Sequence, residues 1–333
     1  MTWLTVHLTP ASSGPAGLIA DATGSIKSSR EVEDRINEIR TGLQSSPGVQ
    51  SISPSENIAD KVMMILGSLH DPGYLEALRL GPHPREPEIT ELARQYAAAG
   101  VPQNTSVDTG SYQRALFSAA TGFAAATTIA SKRSPVSYAL CRPPGHHAGR
   151  SFMGGYCLLN NAAVAALSLR ASGFHRPAII DLDFHPGNGT SDVLSAHPDI
   201  GFASLHARTD VNFPWIPQLQ PALGSHRYLE FLTDPSPAEY ISALRGLLES
   251  DWAITLDVLV VSLGYDIVVG DPHGGWTLPP DVYREIGLAL AAIGKPICIV
   301  QEGGYRLDAL SACAAHLSAG LRIGMKETGR SHT

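Results

Sequence analysis

Pro177-Ala-Ile-Ile-Asp181-Leu-Asp183-Phe-His185-Pro-Gly-Asn188-Gly-Thr190 is the stretch whose reading decides the fold. Ala178, Ile179 and Ile180 form a short apolar run without polar alternation, the pattern of a strand buried on both faces. Pro186, Gly187 and Gly189 end it. Side chains at i, i+2 and i+4 of a strand share a face, so the spacing predicts that Asp181, Asp183 and His185 converge on one side of the strand end. Carboxylate oxygen and neutral imidazole nitrogen are ordinary zinc ligands, and two of them held at one strand end are most of a site. The pattern points to a metal-centred hydrolase.

The flanking sequence repeats the rhythm of strand, polar loop and helix. Val136 to Leu140 reads as a strand running into Cys141-Arg-Pro-Pro-Gly145-His146-His147. Gly201 to Leu205 reads as a strand ending at His206, Val258 to Leu263 as one ending in Gly264-Tyr265-Asp266, and Ile297 to Val300 as one ending in Gln301-Glu-Gly-Gly-Tyr305. Helical spacing is expected over residues 31–43, 89–99, 112–131, 160–169, 191–196, 238–248 and 281–293, and Trp3 to Leu8 is a candidate first strand. Residues 59–69 fit a helix or a strand; residues 11–29, 81–88 and 207–228 read as loop or irregular chain. Such alternation predicts a single open, mostly parallel α/β sheet with helices on both faces, in one domain. Ligands of such sheets bind beyond the carboxyl ends of the strands, where every chemically interesting cluster falls.

Composition narrows the class. A formal net charge of −7 argues against a nucleic-acid partner, which needs clustered Lys and Arg. Cys141, Cys157, Cys298 and Cys313 show no CxxC pair and read as core thiols of a reducing compartment. Met1 to Leu8 lacks a basic n-region, and no apolar run approaches the ~20 residues of a membrane helix. A cytoplasmic location and no membrane partner are expected; a homo-oligomer is left open.

Taken from the residues, Asp183, His185 and Asp266 supply three protein ligands and leave a position for water and substrate, as a catalytic zinc requires. His146 and His147 are candidates for proton transfer, and Tyr305 for a hydrogen bond to a developing oxyanion. Arg142-Pro-Pro-Gly-His-His147, Gly155-Tyr-Cys-Leu-Leu-Asn-Asn161, Asp181-Leu-Asp-Phe-His185 with Gly187-Asn-Gly189, Gly264-Tyr-Asp266 with Gly270-Asp-Pro272, and Glu302-Gly-Gly-Tyr305 together resemble the zinc-dependent histone deacetylase family, of arginase-deacetylase fold. The Arg-Pro-Pro-Gly run and Asn188 are most similar to its class II and bacterial acetylpolyamine amidohydrolase branch.

The resemblance implies a zinc deacetylase acting on acetyl-lysine or an acetylated small amine. Asp183, His185 and Asp266 match the zinc ligands, with iron as the competing metal; His147 matches the general base, His146 its electrostatic partner, and Tyr305 the tyrosine that helps polarise the acetyl carbonyl. Asp181 and Asn188 match the partners of the two histidines, and Gly155 and Tyr156 match the channel that grips the acylated chain. A potassium ion is implied at positions matching Asp181, Asp183, His185, Ser204 and Leu205.

The chain departs from the family at Pro186, often a second histidine, and at His273, where leucine or glutamate faces the substrate. It departs again across residues 207–228, where Phe213-Pro-Trp215 replaces a Gly-rich run, and its first ~60 residues are only loosely similar. Two other readings stand beside the deacetylase: a ligand-binding homologue of low activity, and a two-manganese ureohydrolase in which His146 would become a ligand.

Overall fold

The structure, a computed structural model, describes residues 2–10, 18–20, 26–52, 59–82, 91–98 and 105–329. Its strands are β1 (Leu4–Leu8), β2 (Leu18–Ala20), β3 (Ile26–Ser28), β4 (Val49–Ile52), β5 (Val136–Leu140), β6 (Pro177–Asp181), β7 (Gly201–Ala207), β8 (Arg227–Phe231), β9 (Val258–Leu263) and β10 (Ile297–Gln301). Eight of them form one sheet in the order β4-β1-β5-β10-β9-β6-β7-β8, and every pairing in it is parallel. The remaining two form a small antiparallel ribbon.

The central strands β5, β6, β9 and β10 are buried from end to end, which is why their sequences run apolar rather than alternate. Alternate residues nevertheless serve opposite sides. Leu259, Val261, Ile297 and Ile299 face one core with the helices Glu33–Gln44, Pro237–Leu248, Val282–Ala292 and Leu307–Glu327. Val258, Val260, Cys298 and Val300 face the other, beneath the helices Ala59–Leu69, Ser111–Ala130 and Asn161–Ala171. Local chemistry sets several helix starts. Asn160 Oδ1 accepts from the Ala163 N–H at 2.9 Å, Asp71 caps the helix Pro72–Leu80, and Ser236 and Glu239 form a reciprocal capping box. All four cysteines are buried and carry no disulfide.

Several expectations need correction. Residues 59–69, left open between helix and strand, form a helix, one of the two expected forms. The loop expected over 11–29 contains β2 and β3, although residues 11–17 and 21–25 lie outside the described residues. The irregular stretch expected over 207–228 gives way at Arg227 to β8, and strand β4 and the long helix Leu307–Glu327 were not anticipated. Of the proline-containing loop over 81–88, residues 83–88 lie outside the described residues, as do both ends of the helix expected over 89–99, which is seen as Glu91–Gln95.

The correction that bears on the site concerns β6. It ends at Asp181, so Asp183 and His185 are not borne on its face at alternate positions. The Leu182 N–H donates to Ser262 O at 2.8 Å, one last tie to β9, and the chain then turns out of the sheet. Side-chain oxygens take over from the ladder: Asp181 Oδ1 accepts from the Asp183 N–H at 3.1 Å, and Asp183 Oδ1 from the His185 N–H at 2.9 Å.

Candidate active site

Four adjacent strands, β5, β10, β9 and β6, deliver the candidate residues at their carboxyl ends. His146 and His147 follow β5, Tyr305 follows β10, Asp266 follows β9, and Asp183 and His185 follow β6. Because all four strands run parallel, their ends share one edge of the sheet, and side chains far apart in sequence meet there. They line a cavity of about 220 Å³ together with Gly155, Tyr156, Val211, Asn212, Phe213, Trp215, Pro272 and His273.

Asp183, His185 and Asp266 offer ligand atoms that all lie within 4.8 Å of one another. His185 Nδ1 is 3.1 Å from Asp183 Oδ1 and 3.4 Å from Asp266 Oδ2. The other oxygens of both carboxylates are fixed by main-chain donors, Gly303 N–H to Asp183 Oδ2 at 2.8 Å and Phe184 N–H to Asp266 Oδ1 at 3.0 Å. Asp266 Oδ2 is buried without a hydrogen-bond partner. Burial, with the neighbouring Asp183 charge, pushes the Asp266 carboxyl up to about 7. Two buried carboxylates and an imidazole aimed at one point, with an oxygen left over, fit a small divalent cation of the zinc type.

The approach is so close that side chains are excluded from the backbone around it. A Cβ at Gly264 would lie 2.3 Å from Asp183 Oδ2, and one at Gly303 would lie 2.4 Å from Asp266 Oδ2. At Gly155, φ is +52° and a Cβ would fall 2.3 Å from His147 Cδ2, so only glycine serves there.

The two histidine rings lie against each other, centroids 3.9 Å apart and planes tilted by 38°, yet their partners differ. His146 Nδ1 lies 3.0 Å from Asp181 Oδ2, and its Nε2 lies 3.8 Å from Asp183 Oδ1. Burial disfavours its charged form, but Asp183 and Asp181 outweigh that and raise it to about 10. His147 Nδ1 lies 2.6 Å from Asn188 Oδ1. An amide oxygen only accepts, so Nδ1 carries the proton and Nε2 keeps a lone pair. Burial, then the neighbouring His146 and His185, hold His147 well below the ordinary imidazole value. The charged form is thus favoured at His146 and the neutral form at His147.

Tyr305 is buried, and burial keeps its phenol protonated far above neutral pH. Beneath it lies Arg35, whose Cζ is 4.4 Å from the Tyr305 ring centroid. Arg35 has no exposed side-chain surface; Nη1 donates to Glu31 Oε1 at 2.9 Å, Nη2 to Glu302 O at 2.7 Å, and Nε to Gly304 O at 2.5 Å. Glu302 in turn accepts from the Gly145 and His146 N–H groups at 2.7 and 3.1 Å, and from Ser262 Oγ at 3.0 Å. At the mouth, Tyr156, at φ +70°, places its hydroxyl 3.0 Å from His273 Nε2. The Phe213 ring stands 4.5 Å from that of His147, with Trp215 beyond it at 5.2 Å.

A histone deacetylase domain pattern matches residues 29–321. The chain belongs to the histone deacetylase family. It is 35% identical over 223 residues to the acetylpolyamine amidohydrolase of Mycoplana ramosa, covering 65% of each chain. It is 37% identical over 192 residues to acetylpolyamine amidohydrolase 1 of Pseudomonas aeruginosa, covering 55% of each. The matched stretches thus span 65% and 55% of those relatives' own length. The crystal structure of an acetylpolyamine aminohydrolase from Burkholderia pseudomallei superposes with a TM-score of 0.80 at 27% identity, over 96% of this chain and 98% of that one.

The histone deacetylase match begins at residue 29, so Glu31 and Arg35 fall inside it. Arg35 carries little signal in the sequence, because a four-residue spacing from an acidic residue such as Glu31 is common on exposed helices. Phe213 and Trp215 were noted as a departure, and the structure seats both on the cavity wall. Ser204 lies opposite Asp181 in the β6–β7 register, and its Oγ accepts from the Gly187 N–H at 3.4 Å. The Leu205 side chain points into the apolar core, so only its backbone faces polar chemistry. His70 and His206 are buried; His70 is held by Gly149 O and the Asn160 N–H. Asp266 lies in the candidate ligand group with Asp183 and His185.

Proposed function

We propose that the protein is a metal-dependent deacetylase that hydrolyses the N-acetyl amide of an acetylated amine, giving acetate and the free amine. One observation carries the reading: two adjacent histidines, one bonded to the Asp181 carboxylate and the other to the Asn188 amide, share one cavity with a three-residue ligand group and Tyr305.

Asp183, His185 and Asp266 would hold zinc, with iron as the competitor, and the bound ion supplies Lewis-acid chemistry that polarises a carbonyl and acidifies water. His147 is the general base: Asn188 fixes its tautomer, and its Nε2 takes the proton of the attacking water. His146, kept charged by Asp183 and Asp181, stabilises the negative charge that develops and hands a proton to the departing amine. The Tyr305 hydroxyl donates to the carbonyl oxygen as it gains charge. Tyr156 and Phe213 flank the acylated chain, with Gly155 leaving room at His147 and His273 at the mouth. A potassium ion is proposed beside Asp181, with Asp183, His185 and the backbone of Ser204 and Leu205.

The substrate is proposed to be an acetylated small amine or acetyl-lysine, the former favoured by the names of the relatives. Four buried, disulfide-free cysteines suit the cytoplasm, and among the described residues no helix is long and apolar enough to cross a membrane. The test is hydrolysis of an acetyl-lysine peptide, N-acetylputrescine and longer acyl-lysine peptides by metal-quantified protein. Turnover of one of them at about one metal per chain, lost in Tyr305→Phe, supports the reading. Full metal loading without turnover of any refutes it. A protein that only binds such ligands would be unaffected by Tyr305→Phe.

A further inference from the structure

Asp271 follows Gly270 in the Gly270-Asp-Pro272 run, part of the family resemblance but given no role of its own by the sequence. Its carboxylate is buried and fully used. Oδ1 accepts from the His273 N–H at 2.9 Å and the Gly274 N–H at 3.1 Å. Oδ2 accepts from the Tyr305 N–H at 2.6 Å and the Arg306 N–H at 3.0 Å. Two oxygens carry about four acceptor positions, and all four are occupied by main-chain donors from two different loops. No neutral side chain of that size can do this, because an amide turns an NH₂ toward one of the pairs.

What the carboxylate joins matters. Tyr305 follows Gly304, which sits at φ +110°, a conformation glycine enters and leaves freely. Arg35 holds the carbonyls of Glu302 and Gly304, and Asp183 holds the Gly303 N–H, but the Tyr305 N–H is bonded to Asp271. On the other oxygen hangs His273, whose ring lies 4.7 Å from that of Tyr305 and whose Nε2 lies 3.0 Å from the Tyr156 hydroxyl. The turn is also pressed against a metal-ligand candidate, for a Cβ at Gly274 would lie 1.8 Å from the carbonyl oxygen of Asp266.

We propose that Asp271 is a positioning residue for Tyr305, and that through one carboxylate it locks the tyrosine to the His273 side of the cavity mouth. The proposal rests on the deacetylase reading for its kinetic test but not for its structural one. Asp271→Asn preserves shape and loses acceptors. A misplacement of ~1 Å at a reacting group costs about 100-fold, so kcat falls by about that factor with bound metal unchanged. The deciding measurement is the double-mutant cycle with Tyr305→Phe. If Asp271 acts through the Tyr305 hydroxyl, Asp271→Asn costs less than about threefold in the Tyr305→Phe background. The same factor in both backgrounds overturns the proposal.

Amide hydrogen exchange supplies a readout independent of turnover, and therefore of the substrate. Asp271→Asn is expected to raise exchange in the segments 273–274 and 305–306 while β9 and β10 stay protected. Unchanged exchange in both segments, or a uniform rise across the sheet, overturns the proposal. Absence of turnover in the wild-type protein would count against the deacetylase reading alone. If Asp271→Asn does not fold, Asp271→Glu, which keeps the charge but displaces it by one methylene, is read through the same cycle and the same segments.

Discussion

Arg35→Met is the most informative single perturbation of the support beneath the site. Methionine keeps an unbranched chain of similar reach, so little cavity opens, but all three hydrogen bonds and the contact with Tyr305 disappear. The acceptors do not suffer equally. Glu302 O retains Gln301 Nε2 at 3.2 Å, and Glu31 retains Arg142 Nε at 3.1 Å. Gly304 O, whose bond to Arg35 is the shortest of the three, loses that donor. Removing one member of a buried ion pair costs about 3–5 kcal/mol, and a buried carbonyl left without a donor costs about 1–3 kcal/mol. The retained Arg142 contact reduces the first cost and the two overlap, so the expected loss is about 4 kcal/mol. Urea unfolding of the metal-loaded protein is the assay. With a slope of about 3 kcal/mol/M, the midpoint falls by more than ~1 M. Arg35→Lys, which keeps the charge and loses the fork, should fall between. A midpoint within ~0.3 M of wild type, at unchanged slope, would refute the view that this network stabilises the Gly303–Gly304 loop.

Other outcomes follow from the same geometry. Tyr305→Phe should lower kcat by about 10²–10³ and leave metal content unchanged, checked by steady-state kinetics beside metal analysis. Asp181→Asn removes one of the two carboxylates that, against burial, hold His146 charged. The stabilisation from that charged form is fully present below the ordinary imidazole value and is lost as pH rises toward about 10. In the variant the basic limb of kcat/KM should therefore move to lower pH by about 1–3 units, while the acid limb, set by His147, stays put; an unmoved basic limb contradicts the pairing. Gly303→Ala, whose Cβ would lie 2.4 Å from Asp266 Oδ2 and 2.6 Å from Asp183 Oδ2, should weaken metal binding by about 10–100-fold in a chelator competition. Chelation should lower the melting temperature, and zinc should restore it.

Much of this was legible in the sequence, for reasons that can be stated. β5, β6, β9 and β10 are buried on both faces, so their composition is dominated by a single requirement and the runs stand out; Val258–Leu263 is bounded to the residue. Parallel strands then place the site at one edge without further information. β8 escaped because Arg227–Phe231 is a half-exposed edge strand, where burial no longer constrains alternate positions. Leu307–Glu327 was readable but unread, since Leu310, Ala314, Leu317 and Leu321 recur at helical spacing. Arg35 is different in kind. On an amphipathic helix a buried arginine and an exposed one look alike until the Glu302–Gly304 loop that needs it is in place. The alternation rule put Asp181, Asp183 and His185 on one strand face, but the strand ends at Asp181, which pairs with His146, and Asp183 and His185 meet Asp266 beyond it.

The strand order has a consequence for how the molecule comes to exist. β9 and β10, made late, lie between β5 and β6, made early. A nascent chain that has reached residue 250 therefore has the strands of two sheet fragments, β4-β1-β5 and β6-β7-β8, with no strand to pair between them. It already carries Asp183, His185 and both histidines, but neither Asp266 nor Tyr305. Closing the gap needs the segment 258–301 to enter the middle of the sheet, and Asp266, the third candidate metal ligand, arrives on that wedge. Synthesis arrested before Val258 should thus yield a chain that neither retains zinc nor resists protease, whereas extension through the helix Leu307–Glu327 should confer both together.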